Sequence, residues 1–181
     1  IEELVSAAEA AGVTTIAITE HYPLTSAFDF DDYVSMNKKR VPEYLADIAR
    51  AQQEHPGIEI IPGTELDWLG ADEDRVFADD EFEPFGLVLG SVHFVDTWPF
   101  DDPKQRDRWN EMGADAIWRR YFEIWCDAVT SNAPFTVMAH PDLAKKFGIY
   151  PSFDLAPLYE QAVEACVAGG RMIEVNTSGV T

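Results

Sequence analysis

The sequence is poor in basic residues, and it lacks any long uncharged apolar run. Its 13 lysine and arginine residues stand against 33 acidic ones, which gives a formal net charge of −20. A surface of this charge repels a phosphate backbone and argues against nucleic-acid binding. No apolar stretch reaches the roughly 18 residues that a membrane-spanning helix needs. These absences predict a globular chain that acts neither on nucleic acid nor in a membrane.

Cysteine is also scarce, since Cys126 and Cys166 are the only two in the chain. Each lies within a helical pattern, so we predict buried free thiols rather than a disulfide. The N-terminal segment 1–12 has acidic rather than basic flanks and does not resemble a signal peptide. Together these features predict a cytoplasmic protein in a reducing compartment.

The acidic residues are concentrated in three runs, at 28–32, 71–83 and 100–107. Such runs are typical of solvated loops that keep a protein soluble. A calcium site is the alternative interpretation, although none of the runs has the glycine-turned acidic loop of an EF-hand.

Apolar, β-branched runs alternate with helical patterns along the chain. With 181 residues and 46% apolar content the sequence can form one sizeable core, and no linker divides it, so we predict a single domain over 1–181. Continuously apolar strands indicate an α/β fold with a parallel sheet covered by helices, either a barrel or an open doubly wound sheet. The predicted strands are 14–21, 58–66, 85–95, 135–143 and 171–179, and the predicted helices are 1–12, 34–55, 114–131 and 153–170.

Both ends of the chain are unusual for a complete protein. It begins with Ile1, opens on a helix, and stops within three residues of the last predicted strand. A closed eight-strand barrel usually takes about 250 residues. We therefore expect a segment that lacks the first strand and the last strands of its fold.

A metal-capable or hydrogen-bonding side chain appears near the C-terminal end of each predicted strand. Because the C-terminal ends of parallel strands converge on one face, we expect these side chains to meet there. Histidines and a carboxylate can share a divalent cation, whereas burying them unpaired would be costly. Such a mixed ligand set suits zinc, iron or manganese better than calcium. The residues are His21, Glu65, His93, His140 and Asn176.

Other chemistries find little support in the sequence. There is no glycine-rich nucleotide loop after the first strand, no GxSxG elbow and no paired CxxC motif. Ser91 and His93 lie two residues apart, but nothing nearby completes a catalytic triad. Taken singly, each histidine could be a hydrogen-bonded structural residue, and His55, in a turn that ends a helix, is interpreted as a surface residue. Metal-assisted hydrolysis is the leading reaction class.

The segments TEHYPL, PGTELDW, GSVHFV, AHPDL and EVNTSG occur in this order along the chain. They resemble the motifs of the PHP superfamily of metal-dependent phosphoesterases, most closely its histidinol-phosphatase branch, over nearly the whole sequence. The resemblance implies a PHP-type distorted (β/α)7 barrel, incomplete in this chain. It also implies two or three divalent ions and hydrolysis of a small phosphate monoester, with L-histidinol phosphate, in histidine biosynthesis, as the first expectation.

The resemblance further assigns the metal ligands. His21, Glu65, His93 and His140 match metal-binding positions, and Glu65 matches a carboxylate that bridges two metals. The resemblance implies that Glu65, His93 and His140 serve catalysis through a metal-bound hydroxide. The ions expected from it are zinc, iron or manganese.

Four further assignments concern the surroundings of the metals. By the resemblance, substrate phosphate is held by a basic residue just after AHPD, which makes Lys145 or Lys146 the candidate. Asn176 is a candidate for lining the site. Glu20 and Asp142 each stand beside a proposed ligand, where they could orient an imidazole or simply lie on the surface.

The sequence also departs from the family. The opening His-x-His motif, the closing Asp-x-His motif and a basic residue after EVNTSG have no counterpart. We therefore expect one intact metal position, one lost and one reduced to His21, with impaired hydrolysis by this segment alone. A binding or scaffold role is the main rival, and a PHP exonuclease or nucleotide phosphoesterase is the second. Trp118 and Trp125 could stack on bases, but their helical spacing favours core packing.

Overall fold

The computed structural model describes residues 1–25, 28, 35–70 and 80–177. Most of the acidic runs 28–32 and 71–83 lies outside these residues. The chain divides into two compact units: the first comprises the described residues of 1–66 and 76–89, and the second those of 67–75 and 90–181. The single domain over 1–181 stays a prediction.

The first unit places two helices against parallel strands. β1 pairs with β2 in parallel register from Thr15 opposite Glu59 to Ile18 opposite Pro62. The apolar faces of the helices pack with these strands into one core, formed by Val5, Ile18, Ile48, Ala51, Ile58 and Ile60. The elements are α1 (Glu2–Ala10), β1 (Thr15–Ile18), α2 (Val41–Glu54) and β2 (Glu59–Asp67), whose last residue belongs to the second unit.

The helix predicted over 34–55 begins later than its apolar spacing indicates. A 3₁₀ turn over Lys38–Arg40 precedes it, with the Asn37 side chain accepting a hydrogen bond from the Lys39 amide at 3.0 Å. Pro42 then occupies the first turn of α2, where its missing N–H costs nothing and its fixed φ suits a helix start. The predicted start at 34 is therefore wrong.

The second unit adds a hairpin, three helices and two strands. Its strands lie in the order β3 (Leu87–Ser91), β6 (Val137–Met138) and β7 (Met172–Ile173), whereas the order in the first unit is β1, β2 and β3. Strands β6 and β7 run parallel. The elements are β3 (Leu87–Ser91), which both units share, β4 (Phe94–Val95), β5 (Trp98–Pro99), α3 (Arg108–Met112), α4 (Ala114–Thr130), β6 (Val137–Met138), α5 (Ala156–Gly169) and β7 (Met172–Ile173).

The strand predicted over 85–95 is in fact interrupted. β3 ends at Ser91, and β4 then pairs with β5 in an antiparallel hairpin. The turn between them places Asp96 at φ 57°, a left-handed conformation that aspartate tolerates in two-residue hairpin loops. His93 thus lies in the short connection between β3 and the hairpin. The strand predicted over 135–143 likewise shortens to the two-residue β6, and within the described part of 171–179 the strand is the two-residue β7.

Helix α4 buries the aromatic stripe that its sequence predicts. Trp118 and Trp125 are fully buried, which confirms core packing over base stacking for both. Cys126 and Cys166 are free thiols, as predicted, but only Cys166 is buried and Cys126 is half-buried. Burial nevertheless raises the pKa of Cys126 to about 11. None of the helices in the described part of the chain is long and apolar enough to cross a membrane.

The approach of β6 to β3 depends on a glycine. A Cβ at Gly90 would lie 2.5 Å from Cγ of Phe135 and 2.8 Å from Sδ of Met138. With glycine there, the Ala139 amide donates to the Gly90 carbonyl at 2.8 Å. This contact fixes the residue that precedes His140, at the C-terminal end of β6.

Candidate metal centre

In the first unit, the strand pairing continues past β1 and brings two predicted ligands together. The Glu65 amide donates to the Glu20 carbonyl at 3.0 Å, and the Tyr22 amide donates to the Glu65 carbonyl at 2.7 Å. His21 and Glu65 form an isolated parallel bridge. Their side chains approach to 3.9 Å between Nε2 and Oε2 while remaining 28% and 15% exposed. The pair therefore presents a nitrogen and an oxygen donor side by side.

In the second unit, a buried carboxylate holds the ring of His93. Asp67, the last residue of β2, lies 2.6 Å through Oδ1 from Nδ1 of His93. An ionised carboxylate only accepts, so the hydrogen of this contact lies on Nδ1, and in the neutral imidazole Nε2 then keeps its lone pair. This is the tautomer that a metal-binding histidine needs when its other nitrogen is held by a carboxylate.

His140 lies next to His93. The two ring centroids are 4.9 Å apart with the planes tilted by 55°. A ring nitrogen of each lies within 4.8 Å of the other. Two imidazoles at this separation can share one cation without moving the backbone far.

The backbone of His140 adopts a rare conformation. Its φ is 23°, and in the described residues Asp96 is the other non-glycine residue with positive φ. Such a conformation costs on the order of 1–3 kcal/mol and persists only where neighbours impose it. Here the His140 amide donates to Glu174 Oε2 at 2.7 Å, and the Tyr121 hydroxyl donates to the His140 carbonyl at 2.7 Å. Burial raises the pKa of Tyr121 well above its usual range, so this hydroxyl remains a donor.

The two predicted phosphate-binding lysines follow closely in the chain, and both already contact carboxylates. Lys145 Nζ lies 2.6 Å from Asp142 Oδ2, and Lys146 Nζ lies 2.9 Å from Asp101 Oδ2. The hydrogen bond to Asp142 raises the pKa of Lys145, which keeps it charged. Their role toward phosphate stays a prediction.

The remaining predicted residues lie as follows. Asn176 donates through Nδ2 to Glu174 Oε2 at 3.3 Å. Glu20 is exposed, and its carbonyl rather than its carboxylate contributes to the strand pairing. Asp142 pairs with Lys145, as described. That Asn176 lines the site, and that Glu20 and Asp142 orient imidazoles, remain predictions.

Three residues that the sequence reasoning missed contact the proposed ligands. Asp67 holds the His93 ring, and Tyr121 and Glu174 hold the His140 backbone. Asp67 and Glu174 each stand two positions from a residue that was singled out, so strand alternation could have found them. Tyr121 belongs to the apolar stripe of α4, and no signal in the sequence distinguishes it there.

The donor set suits a transition metal of the predicted kind. Imidazole nitrogens and carboxylate oxygens are donors that zinc, iron and manganese accept. The first unit offers His21 and Glu65, and the second offers His93 and His140, with Asp67 as the carboxylate that holds the His93 ring. These residues fit such an ion by their chemistry.

Comparison with known sequences shows similarity along almost the whole chain. The PHP domain family matches residues 1–178. A Deinococcus radiodurans protein named probable histidinol-phosphatase is 31% identical over 179 residues, which are 98% of this chain and 66% of that protein. The chain therefore spans just under two thirds of the length of this relative.

Two crystal structures share the fold. One is of a Listeria monocytogenes protein assigned as a histidinol phosphatase, with a TM-score of 0.83 and 19% identity over 99% of this chain and 76% of that one. The other is histidinol phosphate phosphatase from Lactococcus lactis in complex with zinc, L-histidinol and phosphate, with a TM-score of 0.67 and 20% identity over 96% and 65%. The likeness confirms the predicted α/β architecture.

Proposed function

Because this chain belongs to the PHP domain family, we propose that it is part of a metal-dependent phosphatase that hydrolyses a small phosphate monoester. L-Histidinol phosphate is the first substrate to test, since the curated relative is named for that activity and the Lactococcus lactis structure contains L-histidinol and phosphate. The observation that carries the proposal is the arrangement of Asp67, His93 and His140. It presents two neighbouring imidazoles, one with its tautomer fixed by a carboxylate.

We assign metal binding to His21 and Glu65 of the first unit and to His93 and His140 of the second. A divalent cation held by these residues would offset the charge of the phosphoryl oxygens and lower the pKa of a water, so that hydroxide would be available as a nucleophile near neutral pH. The chain itself contributes side chains whose nitrogen and oxygen atoms are positioned to bind the cation. Asp67 holds the Nδ1–H of His93, so that in the neutral ring Nε2 can donate its lone pair to a metal. The same contact fixes the orientation of the ring.

Substrate recognition requires local positive charge, because the chain as a whole carries −20. Lys145 and Lys146 supply such charge directly after the segment that contains His140. Since each already contacts one carboxylate, a phosphate dianion would share or displace that partner. The acidic surroundings would in turn attract the ammonium group of an amino-alcohol phosphate such as histidinol phosphate.

The proposal is tested on the purified 181-residue chain, stripped of metal with EDTA and resupplied with manganese or zinc. Bound metal is measured by elemental analysis, and phosphate release is followed from L-histidinol phosphate, glycerol phosphate and a nucleoside monophosphate. We expect slow release from histidinol phosphate that depends on added metal, in line with the impaired hydrolysis expected of this segment alone. His93→Gln should remove both metal and activity, whereas His55→Gln, the same change at a histidine outside the proposed ligands, should leave both intact.

Two outcomes would overturn the proposal. Metal binding without phosphate release from any ester would favour the scaffold role. Release from the nucleoside monophosphate at a higher rate than from histidinol phosphate would favour a nucleotide phosphoesterase.

A further inference from the structure

The backbone amide and the backbone carbonyl of His140 are both hydrogen-bonded to side chains from distant parts of the chain. Glu174, just after β7, accepts from its amide at 2.7 Å, and Tyr121, on α4, donates to its carbonyl at 2.7 Å. Tyr121 is fully buried, whereas Glu174 is half-buried and follows the exposed strand β7. Glu174 is itself anchored, because its amide donates to the Met138 carbonyl at 2.9 Å.

The preceding residue is held in the same way. The Ala139 amide donates to Gly90 of β3 at 2.8 Å, and Trp125 Nε1 donates to the Ala139 carbonyl at 3.2 Å. Trp125 and Tyr121 stand four positions apart, so they project from one face of α4. The residue directly after β6 is therefore hydrogen-bonded to β3 through its amide and to α4 through its carbonyl.

These hydrogen bonds explain how His140 keeps a φ of 23°. A histidine left to itself would relax toward a common backbone region, which would turn its Cα–Cβ bond and carry the ring with it. Fixing the amide and the carbonyl at once fixes the direction of Cβ. The ring then starts from a set position beside His93, at the 4.9 Å centroid separation described above.

We propose that Tyr121 and Glu174 are positioning residues, which hold the strained backbone of His140 so that its imidazole points to the metal. The inference rests on the proposed function, because it takes His140 to be a metal ligand. It goes beyond that function by assigning the ligand's geometry to two residues that bind neither metal nor substrate. Tyr121 acts by hydroxyl donation, and Glu174 acts as a hydrogen-bond acceptor rather than as a charge.

The test measures binding of cobalt(II) to the metal-free chain, by the visible absorption of the bound ion and by titration. The variants are Tyr121→Phe, Glu174→Ala and Glu174→Gln. Glutamine keeps an oxygen that can accept from the His140 amide but removes the charge, whereas alanine removes both. Trp118→Phe is the matched control, because Trp118 lies on the same helix and donates through Nε1 to the Ile149 carbonyl at 2.9 Å, away from His140.

We expect Tyr121→Phe and Glu174→Ala to weaken cobalt binding by about tenfold or more, the size found when an outer partner of a metal ligand is removed. Their absorption spectra should change in band position or intensity, since one ligand is misplaced. Glu174→Gln should stay within a few fold of wild type, and Trp118→Phe should lower thermal stability without changing the cobalt spectrum.

Wild-type affinity and spectrum in Tyr121→Phe and Glu174→Ala would overturn the inference while leaving the proposed function intact. Equal losses of cobalt affinity in Glu174→Gln and Glu174→Ala would show that Glu174 acts through its charge, and the role given to Glu174 as a hydrogen-bond acceptor would be wrong. Absence of cobalt binding in the wild-type chain would instead refute the proposed function, on which the inference rests.

Discussion

Asp67 and His93 form a contact of 2.6 Å between a fully buried carboxylate and an imidazole nitrogen. A buried carboxylate is costly unless it is hydrogen-bonded or paired with a positive charge. The contact to Nδ1 meets part of that cost, and it fixes which nitrogen of His93 can bind a cation. A change in this contact therefore alters both the cost of burying the Asp67 carboxylate and the affinity of the His93 ring for a metal.

Replacement of Asp67 should weaken metal binding without removing a proposed ligand. For Asp67→Ala we expect a loss of about 10- to 100-fold in zinc affinity, as is usual when the partner of a metal-bound histidine is lost. Asp67→Asn should lose less, because its amide oxygen still accepts from Nδ1. The measurement is competition with a chromogenic chelator, with circular dichroism to confirm folding. Equal zinc affinity in Asp67→Ala and wild type would contradict the role given to Asp67.

A second prediction concerns Lys145. A hydrogen bond to a charged group is typically worth about 1.5–3 kcal/mol, so Lys145→Met should raise KM for the phosphate ester by about tenfold or more. The kcat should change less, because the lysine holds phosphate rather than the attacking water. Lys39→Met, at an exposed lysine of the first unit, serves as the control. Steady-state kinetics decide the matter, and an unchanged KM in Lys145→Met would transfer the role to Lys146.

The strand-end rule explains why so much of the candidate site could be predicted from the sequence. His21 and Glu65 do meet at neighbouring strand ends, and His93 and His140 do lie together. The rule works because parallel strands end on one side, whatever their separation in sequence. It requires only that the apolar runs be recognised, and their content of β-branched residues made that possible.

What holds those residues could not be predicted in the same way. The φ of His140 results from contacts with Tyr121 and Glu174, which lie 19 and 34 positions away. In sequence, a tyrosine that donates to a distant carbonyl is indistinguishable from one that only packs in the core. The end of β3 at Ser91 likewise depends on the hairpin that follows, since the apolar run itself continues to residue 95.

Gly90 provides a third prediction, about stability. Alanine there would place a methyl group 2.5 Å from Cγ of Phe135, which is too close to be tolerated without movement. We expect Gly90→Ala to lower the free energy of unfolding by about 1–3 kcal/mol, as overpacking of a core usually does. Urea denaturation measures the change.

A double-mutant cycle gives the control for Gly90. Phe135→Ala removes Cγ and Cδ1, the ring atoms that the new methyl would meet, so Gly90→Ala should cost less in the Phe135→Ala background than in wild type. The same cost in both backgrounds would show that the methyl group is not opposed by Phe135.

The last prediction is a pH dependence that arises at His55, the residue directly after α2. Its Nδ1 lies 2.8 Å from Glu9 and its Nε2 lies 2.7 Å from Glu2, so it joins α1 to α2 rather than standing alone on the surface. The hydrogen bonds to Glu9 and Glu2 raise the pKa of His55 above 6.5, and the hydrogen bond from His55 lowers the pKa of Glu2 below 4.5.

A raised histidine pKa stabilises the fold fully below pH 6.5 and loses this effect as pH rises through the folded-state value. A lowered carboxyl pKa stabilises it above pH 4.5 and loses this effect as pH falls through the folded-state value. The advantage of wild type over His55→Gln in the free energy of unfolding should therefore be largest between pH 4.5 and 6.5 and decline on both sides. Because the carboxylates are exposed, added salt should reduce the advantage. Urea denaturation across pH measures it, and a difference that does not vary with pH would contradict the ionic link.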